Sequence, residues 1–261
     1  MKLIYLILIA YFLALPSYSQ HDEDVAAASN NAQLHIDKTG GDSSARSIRI
    51  VNGSSLRRLP AVVKDLSKAI SSSVFVKDGL LGKNGFAVYL YDVTCPSFEN
   101  AAAIHYELND TVYHLKLNQF NRQAKDLALA ATLIHEIMHC VLLDIYKRAK
   151  LQDQKAIDCI STFGLNKNDT TSYLNNEFFR LVNSGDKGQH ELIYKLFYPQ
   201  MVALLRQFAK IHRQNFLTPN DAESLSWSGL QKTSAYESLT DDEKKDIESA
   251  ILKANGVRVE E

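Results

Sequence analysis

The run Ala131-Thr132-Leu133-Ile134-His135-Glu136-Ile137-Met138-His139-Cys140 holds two histidines and a glutamate at a spacing that can do chemistry. On a helix His135 and His139 stand one turn apart on one face, so two imidazoles can reach a single metal ion. Glu136 lies about 100° further round the helix. There it can take a proton from a water at that metal without being a ligand itself. The competing reading is a core cluster with no metal. From Lys125 to Ile145 the chain has no Gly or Pro and is apolar around nearly its whole circumference, which marks a helix buried on most sides. Two histidines and a glutamate left unpaired there would be costly. A bound metal removes that cost.

A catalytic zinc usually has three protein ligands and an open position, so a third ligand is expected. Asp144 is close in sequence but points down a different turn. Glu177, in Asn175-Asn176-Glu177-Phe178-Phe179-Arg180, resembles the Asn-Glu helix of thermolysin-like enzymes, without the Ser-Asp that normally follows it. His190 is preferred. It follows Ser184-Gly185-Asp186-Lys187-Gly188-Gln189, a stretch whose glycines let the chain swing a side chain toward a neighbouring element. His190 is read as opening a long helix that continues to His212, with a kink expected at Pro199. Tyr194 falls one turn later on the same face, either to stabilise an oxyanion or as a core tyrosine.

From Thr111 to Lys210 the chain resembles the SprT-like zinc metallopeptidases. His135, Glu136 and His139 on one helix and His190 after a Gly-containing loop carry the likeness. The resemblance implies a zincin-like domain, a zinc ion on His135, His139 and His190, and Glu136 as general base. The chain has no Cys-x-x-Cys and no run of Lys or Arg long enough to follow a phosphate backbone. Both facts argue against a nucleic-acid partner and against the DNA–protein crosslink proteolysis known for some members.

These residues need a frame. Strands are expected at Ile48–Val51, Gly85–Val93 and Thr111–Asn118 from their β-branched and aromatic content. Helices are expected at Leu59–Ile70, Asp153–Phe163 and Thr171–Asn183, and in a last segment opened by the capping box Thr240-Asp241-Asp242-Glu243 and ended by Gly256. Strands before the active helix and helices after it make the class α+β. A small, mostly antiparallel sheet would pack on the active helix, with a helix-rich C-terminal half. Tyr113 to Leu117, arriving just before that helix, is the candidate edge strand on which a peptide could add itself; the alternative is an ordinary core strand. His114 would then face solvent or cleft, whereas His105 reads as structural. Trp227, the only tryptophan, sits in Ser224-Leu225-Ser226-Trp227-Ser228-Gly229-Leu230 and could line a pocket, though packing suits it better.

At the N-terminus Lys2, an apolar run from Leu3 to Leu15 and Ser17-Tyr18-Ser19 have the three parts of a signal peptide over residues 1–19. The apolar run is short for a membrane span. Residues 20–47 are polar and aperiodic and read as a flexible leader; His21 beside Asp22, Glu23 and Asp24 reads as solvated. One domain over residues 48–261 remains. Cys95, Cys140 and Cys159 allow at most one disulfide, and Cys140 with Cys159 is the pair to consider.

The expectation is therefore a secreted or periplasmic zinc metallopeptidase acting on peptide or protein substrates. Two alternatives stand beside it: an exported zinc-containing binding protein without turnover, and a cell-wall amidase. Glu136 argues against the first, because a binding module has no use for a base there.

Overall fold

A computed structural model describes residues 48–52, 57–73, 85–93, 101–105, 112–118, 124–162, 177–213 and 219–256. The expected signal peptide, the leader and Cys95 lie outside the described residues. In order, the elements are β1 (Ile48–Asn52), α1 (Leu59–Ser71), β2 (Phe86–Val93), β3 (Ala101–His105), β4 (Val112–Asn118), α2 (Asp126–Lys150), α3 (Gln154–Thr162), α4 (Glu177–Asn183), α5 (Asp186–Ile211), α6 (Pro219–Ser226), α7 (Ser234–Glu237) and α8 (Asp241–Ala254). The class is α+β, with the strands among the described residues all lying in the first half.

The four strands run in the order β1-β2-β4-β3. β1 pairs parallel to β2, and β2 parallel to β4; only β3 is antiparallel, along β4. The sheet is thus mostly parallel, not mostly antiparallel as expected. The reason lies in the connection: α1 separates β1 from β2, and a strand joined to its neighbour through a helix returns in the same direction. Pro60 stands in the first turn of α1, whose inward face of Leu59, Val62, Val63, Leu66 and Ile70 is buried, so the crossover helix packs back against β1.

β3 was not expected at all. Three consecutive alanines give it little strand propensity, and what holds it is its pairing with β4 across a register irregularity between Ala101 and Ile104. Its presence moves β4 from the edge to the interior. Tyr113 to Leu117 is therefore paired on both sides and cannot accept an added strand; among the described residues β3 is terminal instead. On β4, Tyr113 and Leu115 alternate onto the buried face. Tyr113 meets Phe86 edge-on at 5.0 Å and carries the Lys147 ammonium over its ring at 4.9 Å, which ties the sheet to α2.

The helix α2 is the centre of the molecule. It packs against α1, α3, α4, α5, α6, α8 and β3, which explains why its sequence is apolar on all sides. It is also long and apolar enough to cross a membrane, yet its most apolar window is 100% buried inside the fold. Lys147, Arg148 and Lys150 close it with the charge that suits a helix C-terminus. Cys140, within it, is a free buried thiol and so forms no disulfide with Cys159.

The helix α5 starts at Asp186, four residues before His190, so His190 lies in its second turn rather than opening it. It then runs unbroken through Pro199. Thr240 and Glu243 form the expected reciprocal cap on α8, and Gly256 ends that helix with φ +78°.

Candidate metal centre

Two helices bring the site together. α2 presents His135 and His139 one turn apart, and α5, packed against it, delivers His190. Gly188 lets α5 lie close against α4, because a Cβ there would run into the Leu181 carbonyl of α4 and the Ser184 hydroxyl just after it.

The three Nε2 atoms form a nearly equilateral triangle. His135 to His139 measures 3.2 Å, His135 to His190 3.2 Å and His139 to His190 3.1 Å. All three residues are buried. Ligands placed tetrahedrally about 2.0–2.1 Å from a zinc ion stand roughly 3.3–3.4 Å from one another, so the observed triangle is within a few tenths of an ångström of a ligand set. Hydrogen bonding alone fits these atoms poorly. In a neutral imidazole each nitrogen either donates or accepts. Among three mutually adjacent nitrogens two must share a state, so at least one contact sets donor against donor or lone pair against lone pair. A metal ion, accepting three lone pairs, removes that conflict. These three histidines lie close enough to hold a metal ion.

Their charge state suits the same role. Burial, followed by the neighbouring histidines, holds His135 well below the ordinary histidine range. Burial and His190 bring His139 down to about 4, against the opposing pull of Gln189 and Asp186. Burial also lowers His190. The rings are neutral at ordinary pH, as metal ligands must be.

One ring has its tautomer fixed. Gln189 Nε2 donates to the Val182 carbonyl at 3.3 Å, which leaves Gln189 Oε1 facing His139 Nδ1 at 2.9 Å. His139 therefore carries its proton on Nδ1 and aims a lone pair from Nε2 into the triangle. His135 Nδ1 and His190 Nδ1 are buried with no hydrogen-bond partner among the described residues. Those two rings are placed by packing.

For His135 the packing partner is Gly229. This residue has φ +85°, and a Cβ built on it would stand 2.6 Å from His135 Cε1, 2.7 Å from Nε2 and 3.0 Å from Nδ1. The turn between α6 and α7 thus lies directly on the ring. Trp227, in the same turn, stacks on Tyr194 at 5.0 Å. Tyr194 is half-buried against the core and its ring also meets Tyr198 at 5.2 Å. Trp227 is buried, as a packing residue should be.

Glu136 is buried beside His135, and burial, with the charge of Asp186 second, raises its carboxyl to about 8. Asp186 is itself 76% exposed, with Oδ1 3.4 Å from His190 Nε2, and so marks the solvent side of the site. Of the other ligand candidates, Asp144 pairs with Arg148 at 2.8 Å on the far part of α2 and takes no part. Glu177 is the first residue of α4; its side chain, like those of His105 and His114, lies outside the described set.

Gln189, Asp186 and Gly229 were not read from the sequence. Gln189 precedes His190 with no spacing rule to single it out, and a glycine after Trp-Ser carries no signal of the ring it will meet. Compared with known families, curated proteins and solved structures, the chain matches no family model, no curated protein and no solved structure.

Proposed function

We propose that this chain is an exported zinc-dependent peptidase of zincin-like, SprT-like architecture. The triangle of Nε2 atoms, with the buried Glu136 next in sequence to His135, carries the reading. His135, His139 and His190 would hold the metal. When bound to three histidines, zinc brings the pKa of a coordinated water to near neutral and polarises a carbonyl.

The chain's own groups supply the rest. Glu136 accepts the proton of the attacking water at its carboxylate and returns it to the leaving amine. Without a metal, burial holds that carboxyl up at about 8; a cation held by the three histidines would draw it back toward the carboxylate that a base must be. Tyr194, one turn from His190 and held by Trp227, would donate a hydrogen bond from its hydroxyl to the oxyanion. Gln189 keeps His139 in the ligating tautomer. The peptide lies along β3, the terminal strand packed against α2, in place of the interior β4.

The test is cleavage of an unstructured protein such as casein by the zinc-loaded chain and by Glu136→Gln. The native chain should cut and Glu136→Gln should bind zinc without cutting. A native chain that holds zinc yet cuts neither casein nor wall peptides points to the binding-protein alternative.

A further inference from the structure

The segment from Ser224 to Ser234 bridges the two helices that carry the histidines, touching α5 at Glu191 and Tyr194 and α2 at His135. Consecutive turns close it, with Trp227 N–H donating to Ser224 O, Ser228 to Leu225, Leu230 to Trp227 and Thr233 to Leu230. Its far end is fixed to α5, because Ser234 donates its backbone N–H to Glu191 Oε1 and its hydroxyl to Glu191 Oε2, the latter at 2.9 Å. Glu191 is the residue next to His190. The near end is fixed by Trp227 on Tyr194. Between these anchors the turn sets Gly229 on the face of the His135 ring.

Buried His135 has no hydrogen bond at Nδ1 to set its rotation, although metal-bound histidines usually take their orientation from such a bond. Something else must hold the ring. We propose that Gly229 is a positioning residue of the metal centre: its bare backbone is the surface that fixes the His135 ring plane, and any side chain there would turn Nε2 out of the triangle. This deepens the metallopeptidase reading and rests on it. Two independent demands meet at this position. The left-handed φ of +85° favours glycine, and the ring leaves no room for a Cβ.

The two demands can be separated. Gly185 has a similar positive φ, +80°, but open space where a Cβ would go. Gly185→Ala therefore pays the backbone penalty alone. Asparagine tolerates left-handed φ better than alanine but still carries a Cβ, so Gly229→Asn isolates the contact. Zinc affinity by chelator competition, and the visible spectrum of the cobalt-substituted chain, are the readouts. Gly229→Ala and Gly229→Asn should each lose about 10–100-fold in zinc affinity and alter the cobalt bands, while Gly185→Ala keeps the native values.

A metal-free cycle guards against a variant that merely folds poorly. Gly229→Ala should lower the melting temperature of the apo chain less in a His135→Ala background than in the native one, because the ring it collides with is gone. Native affinity and cobalt spectrum in Gly229→Asn, or an equal melting penalty with and without the His135 ring, would overturn the proposal. A native chain that binds no zinc would remove the metallopeptidase reading, and the apo cycle would still report on the contact itself.

Discussion

α2 and α5 share two histidine sites, one near each end of their contact, and the two differ in charge. At one, His135, His139 and His190 point nitrogens at one another, and burial keeps all three uncharged. At the other, His212 follows α5 and lies between Asp65 of α1, at 2.9 Å from Nδ1, and Asp126 at the start of α2, at 3.0 Å from Nε2. Burial works against the charge on His212 too, but hydrogen bonds to Asp126 and Asp65 outweigh it and raise its pKa. In turn His212 lowers Asp65. One residue type serves as a set of lone pairs in the first place and as a bridge between two carboxylates in the second. The surroundings decide which: carboxylates on both ring nitrogens make a tether, and their absence from His135 and His139 leaves the nitrogens free for a metal.

The largest expected effect breaks the first site. Glu136→Gln should reduce peptide hydrolysis by about 10²–10⁴-fold with zinc still bound, and His212→Ala should leave the zinc-loaded rate near native. Gln189→Leu comes next: without its acceptor His139 loses the bond that fixes its tautomer, and zinc affinity should fall about 10–100-fold by chelator competition.

Breaking the second site acts on stability instead. His212→Ala should cost about 1–3 kcal/mol at pH 6 in denaturant unfolding of the apo chain, because two carboxylates lose their shared donor. The smallest effect is the pH dependence of that tether. Since His212 is raised in the fold above its ordinary value of 6.5, its contribution is complete below about pH 6.5 and is lost as pH rises through the folded value. Asp65, lowered from 3.8, contributes above its ordinary value and loses that contribution as pH falls through the folded one. Native apo chain should therefore lose the His212 contribution as pH rises above about 6.5, and His212→Ala should show a flatter profile there. A slope unchanged by the substitution would erase the contrast between the sites.

Much of the histidine cluster is legible in the sequence because its parts are local. An unbroken apolar helix carrying His135, Glu136 and His139 declares itself by period and spacing, and a glycine-bearing turn before a helix points to His190 as the third corner. What could not be read depends on contacts distant in sequence. Gly229 meets His135 only once α6 and α7 have folded back over α2, and nothing in a Trp-Ser-Gly turn names its partner. β3 was hidden by its alanines, which form a strand because β4 offers them a ladder. Missing β3 also placed β4 at the edge. The parallel pairing of β1 and β2 was within reach, since α1 between them was expected and a helical crossover implies it.

Metal content of the purified mature chain, by mass spectrometry beside His190→Ala and Glu177→Ala, probes the site most directly. About one zinc per native chain, kept by Glu177→Ala and lost by His190→Ala, is the expected result. No zinc in a native chain refolded with the metal, or full zinc in His190→Ala, would contradict the assignment of the three histidines as its ligands.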